Sequence, residues 1–578
     1  MTAKTVLIGG ASGFWGDSSV GAPQLAEVPG LQYLVFDYLA ELTMSILAGA
    51  RSKNPELGYA TDFVEVTCRQ VLAQCKARGI RLIANAGGVN PAACARALEK
   101  LAAELGVSVR IGVVDGDDVR TLVPPRAERI ASANAYLGAA PVARALALGA
   151  DVVITGRVVD SAVTLGALMH EFGWQPDDYD RLAAGSLAGH LIECGCQATG
   201  GLFTDWREVP DWANMGYPVL ECRADGTFVV TKPEGTGGLV SVPSVAEQML
   251  YEIGDPANYV LPDVVCDFTE VRMDPAGAQR VQVTGARGKP PADTLKVSAT
   301  YLDGYRAVGT LTITGFEAAA KARRSGEAIL ERTRAIFRRL RLGDYSATDL
   351  SVLGDESSYG PHAREHDLRE AVMRLAVSHP QKQALEIFAR EIAPAGTSWA
   401  PGTTGSLNAG RPAVSPQIKQ FSFFVPRKAV RPRVTVAGKT EDLEMAPGSP
   451  ADLVPGKDFD PKDPRAAGEI VSVPLLRLAY GRSGDKGDSS NVGLIARKPE
   501  YLPWIASQVT ADTVAKYLRH LVRGPVRRYA LPGIGALNFV MEEALGGGGM
   551  ASLRNDPLGK GMAQILLSMP VKVPNALL

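Results

Sequence analysis

Asp151-Val-Val-Ile-Thr-Gly-Arg-Val-Val-Asp-Ser161, running on through Ala-Val-Thr-Leu-Gly-Ala-Leu-Met-His-Glu-Phe-Gly-Trp174, reads as a buried strand, a polar loop and an apolar-periodic helix. Such a junction places a cation (Arg157), a carboxylate (Asp160) and two hydroxyls (Thr155, Ser161) at the carboxyl end of a strand, where open α/β sheets bind their ligands. The chemistry of these side chains suits Arg157 to holding a substrate carboxylate or enolate oxygen and Asp160 to proton transfer as the first-choice base.

Toward the amino terminus the same unit recurs. Strands are expected at Thr5 to Ile8, Gln32 to Phe36, Ile80 to Ala84 and Val107 to Val114, alternating with helices, which predicts a parallel sheet flanked by helices. A polar cluster follows each one: Gly9 to Ser18, Asp37, Asn85 to Asn90, and Asp115 to Asp118. Each acidic residue alone is as well explained as a cap or turn former. Five clusters after five strands, counting Thr155 to Ser161, predict one shared rim. Gly10, Ser12 and Gly13 lie in G-G-x-x-G-x-x-G, close to a phosphate-cradling fingerprint, although Pro23 and Pro29 interrupt the long helix that such a fingerprint needs. Asn85, Gly87, Gly88 and Asn90 precede a helix opened by Pro91, whose first amides would attract an anion.

Toward the carboxyl terminus the pattern changes. His190, Glu193, Cys194 and Cys196 cluster, with His190 and Glu193 at i, i+3 on one helix face; the Cys spacing lacks the second pair of a structural zinc site, so no metal is assigned and His190 is the runner-up for proton transfer. A hairpin over 216–231 turns at Asp225-Gly226. Lys232 to Ser241 suits a capping loop, with a helix start beyond it as a second anion cradle, and Ala395 to Gly405 a lid. Residues 438–468, rich in Asp, Pro, Gly and Lys, have the makeup of a linker. Beyond it lies a separate α+β unit with strands expected at Val473 to Ala479, Val492 to Ala496, Val526 to Ala530, Ala536 to Met541 and Ala563 to Val571. Its Gly481-Arg-Ser-Gly-Asp-Lys-Gly-Asp-Ser-Ser-Asn491 reads as a charged loop in which Arg482, Ser483, Asp485 and Lys486 would bind a phosphate or carboxylate.

At 578 residues the chain exceeds one core. With 61 Lys+Arg against 62 Asp+Glu and no basic block, nucleic acid is not an expected partner. No run of eighteen apolar residues and no leader-like segment before the first strand predict a soluble, cytoplasmic protein without membrane contact, and seven cysteines without a CxxC pair predict reduced thiols. At this size a homo-oligomer is expected.

The combination of Gly9-Gly-Ala-Ser-Gly13, Asn85-Ala-Gly-Gly-Val-Asn-Pro91, Ile154-Thr-Gly-Arg-Val-Val-Asp-Ser161, Gly200-Gly201 and Gly481 to Asn491 resembles the acyclic terpene utilisation AtuA-like family over essentially the whole chain. The resemblance implies a large N-terminal domain followed by a small ferredoxin-like one, here 1–455 (1–260 an α/β core, 261–437 a mixed α+β extension, 438–455 the start of the linker) and 470–578. It also implies a place in acyclic terpene or branched acyl-CoA catabolism. The expected activity is acid–base chemistry on an acyl-CoA or branched carboxylic acid, of hydratase, lyase or thioester hydrolase type, with the CoA moiety of the substrate the one cofactor-like group in view. The competing expectation is a non-catalytic acyl-CoA-binding or scaffold protein associated with an acyl-CoA carboxylase.

Overall fold

A mixed sheet of eleven strands organises the molecule. The computed structural model describes residues 4–126, 128–364, 367–407, 410–450, 453–459, 464 and 468–578. In chain order the first strands are β1 (Thr5–Gly10), β2 (Tyr33–Phe36), β3 (Arg81–Ala84), β4 (Ile111–Asp115), β5 (Ile130–Ala135) and β6 (Val152–Thr155). All but β5 form the parallel centre, in the order β1-β2-β3-β6-β4. Their sequences are apolar without alternation because both faces are covered. Val35, Ile83 and Val153 pack under the helices Ala140–Ala147, Ala162–Phe172 and Tyr179–Ile192, while Leu34, Leu82, Val152 and Ile154 pack under Arg69–Arg78 and Pro91–Glu104. The fourth strand begins at Ile111, later than the expected Val107.

Antiparallel strands extend this centre on both sides. The hairpin of β7 (Val219–Arg223) and β8 (Phe228–Thr231) joins β1 and turns at Asp225-Gly226 as its sequence predicts. Val281–Thr284 and Arg272–Pro275 continue outward. At the other edge Arg433–Val436 pairs with β4 and Lys439–Asp442 with Arg433–Val436, so the stretch expected to open the linker instead completes the sheet. Residues 451–452, 460–463 and 465–467 of the expected linker lie outside the described residues. A second sheet is built on the 21-residue strand Thr294–Thr314, which pairs with β5, Glu370–His379 and Ser415–Pro426. The expected lid at Ala395 to Gly405 is a short helix and a strand, Thr403–Gly405, tied to Thr312 and Ile313.

The C-terminal unit has its own core and a four-stranded antiparallel sheet in the order Ala479–Lys486, Ser489–Ala496, Ala536–Met541, Val526–Leu531. The charged stretch Gly481 to Asn491, read as a loop, is therefore two paired strands with a turn at Gly487-Asp488. Residues 563–571, read as a strand, are the helix Met562–Leu567 followed by the strand Pro570–Pro574; a short apolar run fits either period, and packing on the sheet decided it. Two-residue alternation gives this sheet two characters. Val492 and Leu494 face its helices, whereas Arg482, Gly484, Asn491, Gly493 and Asn538 face the N-terminal domain.

Candidate functional site

A cavity of about 910 Å³ opens at the carboxyl rim of the parallel strands and is closed by the C-terminal sheet. Of the five polar clusters expected at this rim, three line it: Gly13 and Asp17 after β1, Asp37 after β2, and Arg157 and Asp160 after β6. The other two brace these from behind. The Asn85 amide donates to Asp37 Oδ1 and its oxygen accepts from Tyr38 N at 2.7 Å; Asp117 Oδ2 accepts from Arg157 N at 2.9 Å and from Asn134 Nδ2 at 2.7 Å. Burial pushes Asp117 up to about 6.

Arg157 is a hub as well as a wall. It is 3% exposed, its Nη1 donates to Leu39 O at 2.6 Å and to Asp160 Oδ1 at 3.1 Å, and its guanidinium lies 4.4 Å from the Tyr136 ring centroid. Burial disfavours the cation, but Tyr136, Asp160, Glu41 and Asp37 outweigh it and hold Arg157 firmly charged. Arg157→Ala would leave the Leu39 carbonyl and neighbouring carboxylates uncompensated. We expect urea denaturation to show a loss of about 3 kcal/mol or more, so its activity cannot be compared with an intact fold; a loss below about 1 kcal/mol would show that the hub is dispensable.

The remaining charges come from elements scattered through the chain. Glu41, Glu193, Glu252 and Lys296 line the cavity from the N-terminal domain, and Asp485, Lys486 and Lys560 from the C-terminal one. Burial raises Glu41, yet Lys296, Arg157 and the Tyr136 hydroxyl more than offset it and hold it down at about 2. Burial pushes Glu252 up to about 7, with Glu193, Asp160 and Glu41 adding to the push and Lys486 opposing it. Asp485 is pushed up to about 8 by burial and by Glu252 and Glu41. The crowding of the cavity works against the Lys486 cation, but Tyr259, Glu252, Asp160 and Glu41 more than offset it, and the residue remains solvent-exposed. Burial brings Lys560 down to about 8; its ammonium donates to the Tyr251 hydroxyl and lies 3.2 Å from Glu252 Oε1 and 3.9 Å from Asp485 Oδ1. Two carboxyls and one amine therefore exchange protons close to neutral pH in one small volume. Around the mouth the wall is apolar and solvent-facing: Phe14, Leu42, Ile46, Leu202, Val260 and Phe424 form a collar.

The C-terminal domain also shapes the site. Arg482, on the docking face, donates to Glu247 at 3.0 and 3.2 Å, to Gln197 Oε1 at 2.6 Å and to Gly201 O at 3.0 Å. Asn491 Oδ1 accepts from Glu252 N at 3.0 Å while its amide donates to Leu250 O at 2.7 Å; Asn538 donates to Ile253 O and Gly254 O. This grip holds Glu252 at φ +58°, a conformation that costs a non-glycine residue about 1 kcal/mol or more. The glycines of the docking face are there for close approach. A Cβ at Gly484 would sit 2.5 Å from Glu252 Cγ, and one at Gly493 2.5 Å from Leu250 Cβ.

Of the side chains selected from sequence, Asp160, Arg157, Gly13, Asp485 and Lys486 line the cavity. His190 does not: it is buried behind the wall, bonded to Glu193 and the Met249 carbonyl. Gly10 and Ser12 lie beneath the 192–195 crossing and the β2 loop rather than in a phosphate cradle, and Asp17 occupies the Gly13 amide at 2.9 Å. Gly87 and Gly88 pack against Thr155 O and Leu47, and Asn90 donates to Pro55 O and Leu57 O. Arg482 and Ser483 are satisfied by protein partners, so neither is available to an anion. The helix start after Gly237 is closed by the Ser241–Ser244 capping box, and the Lys232 to Ser241 loop does not line the cavity. Burial pushes the Cys194 thiol well up and Cys196 up to about 12, so neither is a ready nucleophile at neutral pH. Among the described residues no group of three or more His, Cys, Asp or Glu is placed to hold a metal. Sequence reasoning passed over Glu41, Glu252, Lys296 and Lys560; Lys560, between two glycines, offered the one local cue.

The family described as acyclic terpene utilisation family protein AtuA matches residues 6–436, and the AtuA ferredoxin-like domain matches residues 473–572. No curated protein and no solved structure matches the chain significantly. Among the described residues no helix is long and apolar enough to cross a membrane.

Proposed function

Because the chain belongs to the acyclic terpene utilisation AtuA family, we propose that it is an enzyme of that catabolism, acting by acid–base chemistry on a branched carboxylic acid or its acyl-CoA. The observation that carries this reading is the meeting, in one cavity at the domain junction, of Glu252 and Asp485, which titrate at about 7 and about 8, with the cations Lys296 and Lys486. Proton transfer is most efficient from groups whose pKa lies near the working pH. Lysines beside them stabilise the negative charge that develops on a carbonyl oxygen during hydration, lyase cleavage or thioester hydrolysis. In this reading Asp160 serves proton transfer beside Glu252, and Arg157 fixes Asp160 in place.

The polarity gradient supports a branched hydrocarbon substrate with one polar end. Apolar side chains form the collar, and charge lies deeper, around Asp37, Arg157 and Glu193. A hydrocarbon chain gains about 0.8 kcal/mol per buried methylene against such a collar, while its carboxylate or thioester carbonyl meets the lysines.

The test is to incubate the full chain with medium-chain branched acids and their CoA esters, with mass spectrometry of the products. We expect water addition, carbon–carbon cleavage or CoA release, reduced about a hundredfold or more in Lys486→Met. Saturable binding of a panel member with no product between pH 6 and 9 would overturn the enzymatic reading in favour of a binding protein.

A further inference from the structure

The helix Tyr179–Ile192 ends at the cavity, where it places two titratable side chains one turn apart: His190, 1% exposed, and Glu193, which lines the wall. His190 Nδ1 is 2.9 Å from Glu193 Oε1, and Nε2 is 3.1 Å from Met249 O. A backbone carbonyl only accepts, so Nε2 carries hydrogen whatever the protonation state. The one variable ring proton therefore lies on the bond to Glu193. With that proton on Nδ1 the pair is imidazolium and carboxylate; moved across the bond, it makes imidazole and carboxylic acid. Both arrangements are neutral overall and keep both hydrogen bonds, so neither leaves a net charge in the protein interior.

We propose that Glu193 is a further proton-transfer group of the cavity and that His190 is its positioning residue, the two sharing one proton. This rests on the acid–base reading of the same cavity. Among the described residues Glu193 Oε2 has no hydrogen-bond partner, and it is the oxygen left for substrate. In the step, the substrate's X–H bond breaks with its electron pair staying on X, and the proton forms an O–H bond at Oε2. The pair passes from neutral to a single positive charge and returns when the proton is given back.

The surroundings favour the imidazolium form at rest. His190 sits in the last turn of its helix, where the carbonyl ends attract a cation. Burial lowers its proton affinity, but the charge and hydrogen bond of Glu193 outweigh this and raise it above the ordinary histidine value; burial raises Glu193 as well, with the charge and hydrogen bond of His190 opposing it. The charged and titratable groups facing the pair are Lys486, which opposes the cation, Asp160, Asp37 and Glu252, which lie toward Glu193, Cys194, and Tyr259, whose ring centroid is 5.9 Å from the imidazole. From the helix Val242–Leu250 packed alongside, Glu247 is already engaged by Arg482.

The test is ring-nitrogen NMR of ¹⁵N-histidine protein between pH 5 and 9, the His190 signal identified by His190→Gln. In the native chain His190 is expected to hold both ring protons through pH 7; in Glu193→Gln it should be neutral there, protonated on Nε2 alone. Identical titration in the two proteins, or a native His190 that titrates at or below the ordinary histidine value, would overturn the pair. For catalysis, Glu193→Gln is expected to lower kcat about a hundredfold with KM little changed, and Glu193→Asp to restore part of it; an unchanged kcat would make the pair structural and overturn the proposal. If Glu193→Gln does not fold, the native titration and the kcat of His190→Gln, expected to fall about tenfold, decide. A native chain without turnover defeats the acid–base reading instead, while the nitrogen shifts still decide whether the pair exists.

Discussion

Glu252→Gln is expected to cost turnover a factor of about 10² to 10⁴ while making the protein more stable above neutral pH. The carboxyl has a folded-state value of about 7, against about 4.3 in an unfolded chain. Folding thus favours its protonated form. The stability this contributes is fully present below about pH 4 and is lost as pH rises to about 7, because the unfolded chain ionises first. Glutamine cannot ionise. The variant should therefore match the native chain near pH 4 and exceed it by about 3–4 kcal/mol at about pH 8, with chemical denaturation at the two pH values as the measurement. If the chain turns over as proposed, its activity should follow a bell, rising as Glu252 loses its proton and falling as Asp485, at about 8, loses its own. The two carboxyls feel each other's charge, so the limbs belong to the pair. Lower stability of Glu252→Gln at pH 8, or an unchanged pH profile, would remove Glu252 from the proton-transfer role.

Arg482→Ala should be among the most damaging single changes in the chain. Its guanidinium and the Glu247 carboxylate are 5% and 0% exposed, and the alanine leaves Glu247 buried without a counter-charge. Removing one partner of such a pair costs about 3–5 kcal/mol. Because Arg482 shares a strand with Asp485 and Lys486, the loss also frees two side chains of the cavity, and turnover should fall with stability. Replacing both partners, as Arg482→Met with Glu247→Met, should recover most of the stability, since an apolar pair of similar volume carries no desolvation penalty. Urea denaturation of the single and double variants measures this directly. A single-variant loss under about 1 kcal/mol would show that the two domains are held by their apolar contacts instead.

Much of the N-terminal architecture was legible because its signals are local. Val152 to Thr155 is buried on both faces, so its run is apolar without a break, and the polar residues that follow had to lie at the strand end. Gly481 to Asn491 misled for the opposite reason. Two arginine or lysine side chains and two aspartates among glycines describe a solvated loop, whereas the chain pairs them as two strands and the docked N-terminal face buries Arg482. The partner that makes Arg482 tolerable in the interior, Glu247, is 235 positions away. The same distance hid most of the cavity's charges: Arg157 and Asp160 announced themselves in one motif, whereas Glu252, Lys296 and Lys560 belong to no motif.

Local periodicity and turn chemistry were enough to read the parallel strands and the rim on which Arg157, Asp160 and Asp37 stand, because a strand's two-residue repeat and the break after it are written in neighbouring residues. Which charges share a cavity, and which of them titrate near neutral pH, was decided by the docking of the second domain. Its docking face brings Asp485, Lys486 and Lys560 against Glu252 and strips most of the water from the Asp485 and Glu252 carboxyls, whose side chains keep 20% and 23% of their exposure, so both are raised.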